Sequence, residues 1–342
     1  MEVQLLDRLN GHKLNRWQQL LESAGLAVDT LPERTVLVWE DDELIATGSR
    51  QGNLLKYLAV AESHQGEDLT AKVLTELRQD AFRAGIRHLF LYTKPQNKYL
   101  LSSLFFYPVA QTASVLLMED RPNGIREFLA GYPAEESGPI VGAAVMNCNP
   151  FTLGHRYLIE QAAMQCDRLY VFVLSEEQPP FPAADRLELV RRGTRDIPNV
   201  TVLPTGPYLL SAATFPTYFL QDREQAGSIQ CALDLEIFTR YYAPHFHITR
   251  RFVGTEPLSP MTAMYNEALK EALPKKGIEL IELPRLEIGG VPISASAVRA
   301  LLGKQQAEAV RALVPQVTFD YLRTHDLIEG GPLCLNADQT IS

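Results

Sequence analysis

Cysteine is scarce in this 342-residue chain: Cys148, Cys166, Cys231 and Cys334 lie far apart and form no C-x-x-C pair. That excludes a disulfide framework and a cysteine-built zinc site, and reduced thiols in a cytoplasmic protein are the expectation. No stretch approaches the ~20 apolar residues that span a bilayer. The opening MEVQLLDRLNGHKL lacks the apolar core of a signal peptide, so no membrane association is expected. Positive charge is in deficit, with 32 Lys and Arg against 41 Asp and Glu. That argues against nucleic acid as a partner, yet leaves room for a basic pocket that holds a small anion. Internal repeats and low-complexity tracts are missing as well. His245 and His247 could share one face of a strand, but no third ligand stands near them and no metal site is expected.

What is present is a globular composition long enough for two domains. The segment EDRPNGIREFLAGYPAEESGP, 119–139, concentrates prolines, glycines and charges and reads as a boundary. Domains are therefore expected at 1–120 and 139–342, joined by a linker at 121–138. The first part reads as α+β: a hairpin of Thr35–Glu40 and Glu43–Ser49, strands at Leu54–Val60, His88–Tyr92 and Ala113–Met118, and an amphipathic helix through Leu69, Val73, Leu77 and Ala81. The second part alternates strand and helix, as a doubly wound, Rossmann-like domain does. Strands are expected at Ile140–Met146, Leu169–Leu174, Val200–Leu203, Ile248–Val253 and Ile278–Leu283. Cys231–Glu236, if extended, would show two carboxylates on one side.

Two short stretches carry chemistry. The apolar, β-branched run Ile140–Met146 is followed by Asn149-Pro150-Phe151-Thr152-Leu153-Gly154-His155 and then by an amphipathic helix. Pro150 ends the strand and Thr152 suits an N-cap. Gly154 and His155 then fall in the first turn of a helix at the carboxyl end of a strand, where free N–H groups and the helix dipole favour an anion. Later, Pro292-Ile293-Ser294-Ala295-Ser296-Ala297-Val298-Arg299 places a capping serine, a second hydroxyl and a guanidinium within one turn.

The first stretch resembles the T/H-x-G-H motif of the nucleotidyltransferase superfamily, and the second resembles that superfamily's I-S-x-S/T-x-x-R. The order strand, strand, strand, helix, strand, helix, strand of the first part resembles the GNAT acetyltransferase fold. Gln65 and Gly66 match its pyrophosphate loop, whereas the charge of Asp68 would repel a pyrophosphate; a structural or docking module is the other reading. With MNCNPFTLGHRYLIEQA, VGTEP, MYNEALK and ISASAVR, the chain as a whole resembles the acetate:citrate-lyase ligase family. That resemblance implies ATP-dependent activation of acetate as acetyl-AMP. It further implies acetylation of a thiol on the acyl carrier subunit of citrate lyase, with AMP and pyrophosphate released. It assigns His155, Thr152 and Arg299 to catalysis. Asn149, Pro150, Phe151, Gly154, Gly254, Glu256, Ser294 and Ser296 would bind the nucleotide, with Mg²⁺ on its phosphates. Arg186 matches an arginine common in that superfamily, and a helix-surface arginine is the alternative. Two other functions stay open: a small-molecule adenylyltransferase of the phosphopantetheine or mononucleotide type, and a GNAT acetyltransferase with a nucleotide-sensing domain.

Overall fold

The computed structural model describes residues 1–209, 215–220, 226–256 and 260–328. Cys334 and Pro257 lie outside them. The chain forms two compact units, Met1–Glu127 with Phe215–Glu236, and Phe128–Thr214 with Ile237–Ser342.

In the first unit the elements run β1 (Glu2–Leu6), α1 (Gly11–Ser23), β2 (Arg34–Glu40), β3 (Glu43–Gln51), β4 (Leu54–Val60), α2 (Leu69–Arg83), β5 (Phe90–Thr93), α3 (Lys98–Ser103), β6 (Tyr107–Gln111), β7 (Leu116–Glu119) and, at its edge, α4 (Gly124–Ala130). They build one sheet of order β1-β2-β3-β4-β5-β7-β6, the α+β arrangement that the GNAT resemblance implies. The face of α2 expected from spacing, Leu69, Val73, Leu77 and Ala81, is buried against Val36, Val38 and Ile45. Within this sheet β4 and β5 are the parallel pair, matched only at Leu54–Phe90 and Leu55–Leu91. Beyond that point a cavity of about 640 Å³ opens, lined by Leu58, Gln65, Gly66, Tyr92, Asn97 and Tyr218.

Tyr218 comes from the far side of the sequence. A contiguous second domain over 139–342 does not account for Phe215–Glu236, which packs within the first unit. The reason is tertiary: Phe215, Tyr218 and Phe219 are buried aromatics. Asp29 accepts the N–H groups of Thr217 and Tyr218 at 3.0 and 3.2 Å. The Tyr218 hydroxyl donates to the Tyr92 carbonyl at 2.6 Å, and its ring meets Tyr57 edge-on at 5.0 Å.

The second unit contains β8 (Val141–Met146), α5 (Leu153–Ala163), β9 (Arg168–Val173), α6 (Ala183–Gly193) and β10 (Val200–Pro204). The helix α7 (Ala226–Ile237) follows, mostly within the first unit, so Cys231–Glu236 is helical rather than extended. Then come α8 (Ala243–His245), β11 (Arg250–Gly254), α9 (Pro260–Ala272), β12 (Glu279–Leu283), a two-residue hairpin of β13 (Glu287–Ile288) and β14 (Val291–Pro292), α10 (Ala295–Gly303), α11 (Ala307–Arg311) and α12 (Gln316–Thr324). His245 therefore ends a helix, and its Nε2 meets the Tyr132 carbonyl at 2.9 Å.

The second sheet has the order β10-β9-β8-β11-β12, parallel throughout. Both faces are covered, which is why its central strands read as unbroken apolar runs. The chain winds outward from β8 through β9 to β10, then returns to β11 on the other side. The strand order thus reverses between β8 and β11, and the crevice outside their carboxyl ends is where such sheets take ligands.

Candidate functional site

Asn149–His155 leaves the end of β8 and Gly254–Glu256 leaves the end of β11, so both flank that crevice. Thr152 caps α5 reciprocally: its hydroxyl accepts the His155 N–H at 3.3 Å, and its own N–H donates to His155 Nδ1 at 3.1 Å. A backbone N–H can only donate, so Nδ1 is an acceptor. The neutral ring then carries its proton on Nε2, a tautomer assigned from the hydrogen-bond network. The ring stacks on Phe151, with centroids 6.2 Å apart. His155 is half-buried. Burial, and then the charge of Arg285, lower its pKa to about 4. At neutral pH it is an uncharged donor with a fixed direction.

The two motifs meet directly. A Cβ on Gly154 would stand 3.0 Å from the Ile293 carbonyl oxygen, so the missing side chain lets the start of α5 approach the entry to α10. One guanidinium nitrogen of Arg299 donates to the Asn149 carbonyl, and the other reaches Ser296 Oγ at 3.1 Å. Ser294 caps α10, accepting the Ala297 N–H at 3.1 Å. Burial lowers the pKa of Arg299, though a guanidinium remains charged at any working pH. The first turns of α5 and α10 thus lie side by side, with hydroxyls, the first-turn N–H groups of Gly154 and Ser296, a neutral imidazole and a cation. Together these can hold a polyphosphate and stabilise charge that grows on it.

Other expected residues stand around this centre in different ways. Asn149 is 4% exposed; its amide nitrogen donates to the Pro179 carbonyl at 3.2 Å, while its Oδ1 is buried without a partner among the described residues. Pro150 follows it through a cis peptide bond. Phe151 is fully buried, with its ring where a Cβ on Gly193 would sit; it supports the site from behind. Arg186 is also fully buried. It donates to the Asn147 carbonyl at 2.8 Å, to the Asn147 side chain and to the Glu176 carbonyl. The structure places it as a buried tie between the loops after β8 and β9. The Gly254 carbonyl accepts from Asn266 at 2.9 Å. Glu256 is paired with Arg285, a residue the sequence reading passed over. Cys148 is buried, which pushes its thiol pKa up and makes it a poor nucleophile.

Comparison with known proteins bears on this arrangement. The family model described as "Citrate lyase ligase C-terminal domain" matches residues 141–322. A protein of Escherichia coli (strain K12) named [Citrate [pro-3S]-lyase] ligase is 40% identical over 323 residues, 92% of each chain. One of the same name from Klebsiella pneumoniae is 41% identical over 329 residues, covering 94% of this chain and 95% of its own. Among solved structures, Escherichia coli ElaA aligns with 35% of this chain and 100% of its own, at 18% identity and a TM-score of 0.32.

Proposed function

The chain belongs to the citrate lyase ligase family, and from that premise we propose that it is an ATP-dependent ligase working in the cytoplasm. It activates acetate as acetyl-AMP and then acetylates the thiol of the prosthetic group on the acyl carrier subunit of citrate lyase. The observation that carries this reading is the joining of the two phosphate motifs, through Gly154 against Ile293 and Arg299 on Asn149, at the point where the parallel sheet reverses. The name shared by the curated relatives favours the ligase over an adenylyltransferase with another acceptor.

Acetate is ionised at neutral pH, so its oxygen attacks the α-phosphorus without a base. The bond from that phosphorus to the bridging oxygen breaks, and pyrophosphate departs. Catalysis is then positioning and electrostatics. The Nε2–H of His155 meets the oxygens on which charge grows, while Arg299, Ser296 and the α10 N-terminus take the departing end. Mg²⁺ is carried on the ATP phosphates, the usual manner for that ion. In the second step the thiol sulfur bonds to the acetyl carbonyl carbon, its proton is lost, and AMP leaves.

The test is to incubate the protein with ATP, Mg²⁺ and acetate and to follow acetyl-AMP and pyrophosphate. Acetate-dependent pyrophosphate exchange into ATP supports the reading. If the protein shows none, while transferring AMP to a pantetheine phosphate or mononucleotide, the adenylyltransferase takes its place.

A further inference from the structure

Arg285 follows β12, whose neighbour β11 ends in Gly254, and the two strands are in register at Gly254 and Leu283. That pairing continues one step further, with the Thr255 N–H on the Leu283 carbonyl at 2.8 Å. It brings the Arg285 guanidinium over the loop after β11. Nε donates to the Thr255 carbonyl at 2.6 Å, and Nη2 is paired with Glu256. The Glu256 side chain is 6% exposed and that of Arg285 is 25% exposed. The carboxylate is thus sunk in the protein while the guanidinium head keeps an open side. Its Nη1 has no partner among the described residues.

This head differs from the site's other guanidinium in what holds it. Arg299 hangs from α10 and the Asn149 carbonyl, among the groups suited to a polyphosphate. Arg285 hangs from the β11 loop, and it is the charge that the His155 imidazole feels. A long, flexible side chain fixed at two of its three nitrogens, with the third free, is pre-organised to receive an acceptor.

We propose that Arg285 contacts the phosphate that stays with the nucleotide, the α-phosphate of ATP and the single phosphate of acetyl-AMP, and that Glu256 is its positioning residue. The assignment rests on the ligase reading, in which His155 addresses that same phosphorus. It gives the site two guanidiniums with separate duties: Arg299 serves the pyrophosphate that leaves, and Arg285 serves the phosphate retained through both steps. Glu256 is accordingly tied to Arg285, where the family resemblance gave it to the nucleotide.

AMP and adenosine separate the claim from a general weakening of the pocket, because they differ only in that phosphate. Binding of each to the full-length protein is measured by calorimetry for wild type, Arg285→Gln, Arg285→Lys and Glu256→Gln. Losing a charge-assisted bond predicts AMP affinity lower by about ten- to a hundredfold in Arg285→Gln, with adenosine affinity unchanged. Glu256→Gln should show the same pattern more weakly, and Arg285→Lys should recover part of the loss. Both half-reactions should slow in Arg285→Gln, including acetyl transfer from pre-made acetyl-AMP. Unchanged AMP affinity, or equal losses for AMP and adenosine, overturns the assignment. If Arg285→Gln does not fold, the lysine and Glu256→Gln proteins decide by the same comparison. Wild-type protein that binds AMP but makes no acetyl-AMP would defeat the ligase reading, while the AMP–adenosine comparison would still judge Arg285.

Discussion

His155 shows how a single residue can be fixed by its own backbone. The capping pair with Thr152 uses up Nδ1 and leaves Nε2–H as the working end. Replacing it with alanine removes a fixed donor, so the exchange rate should fall by about 10²–10³, with ATP affinity changing far less. A loss below tenfold would make the residue structural. Its titration has a sign that can be checked. The folded pKa, about 4, lies below the ordinary histidine value of about 6.5, so the unfolded chain binds the proton first. The stability that His155 contributes is present above about 6.5 and is lost as pH falls toward 4. Thermal melts across that window should show a steeper acid decline in wild type than in His155→Gln. Arg299→Lys keeps the charge and loses the paired bonds to Asn149 and Ser296. Its ATP-dependent step should weaken by about ten- to a hundredfold. Transfer from pre-made acetyl-AMP, which has no polyphosphate to hold, should suffer less; equal losses would remove Arg299 from the pyrophosphate end.

Among elements, the decisive contact is α5 against the strand leading into α10. Gly154→Ala puts a methyl group 3.0 Å from the Ile293 carbonyl oxygen. Alanine is the better helix former, so the melting temperature should move little, while the exchange rate should drop about tenfold through displacement of His155. A large loss of stability with normal activity in the surviving protein would contradict that. The superfamily resemblance gives this glycine to a phosphate; in the structure its first duty is to a carbonyl. Both motifs and their helices were legible because capping and periodicity are local. Arg285 was not, since PRLEIGG has no motif and its partner Glu256 lies in another loop. Arg186 could not be told from a surface arginine because its acceptors, the Asn147 and Glu176 carbonyls, carry no sequence signature. The helix α7 was obscured by Cys231, Leu233 and Leu235, which alternate as a strand would. In α1, Trp17, Leu20 and Leu21 did hold a helical signal.

At the scale of the molecule, the chain leaves the first unit after Glu127 and returns to it at Phe215. Composition marked the first crossing, through the prolines and glycines of 119–139, but nothing local marks the second. Its cause is tertiary: Phe215 and Tyr218 find their partners in Tyr92, Tyr57 and Asp29, more than a hundred residues upstream, and Phe219 packs on both of them. A fragment of residues 139–342 therefore strands these aromatics. It should bind a hydrophobic dye and sediment as aggregates, and co-expression with residues 1–127 should return it to solution with acetate-dependent exchange. A monomeric, dye-silent fragment on its own would show that the returning segment does not need its partners.

The same second crossing sets an order on synthesis. The ribosome delivers residues 1–127 first, yet the wall that Tyr218 gives to their cavity arrives only after β8, β9 and β10 have been made. The first unit to begin is thus the first to wait. Its cavity between β4 and β5 stays unfinished through the translation of most of a parallel sheet, and nascent chains halted before residue 215 would present that unfinished cleft to chaperones and proteases.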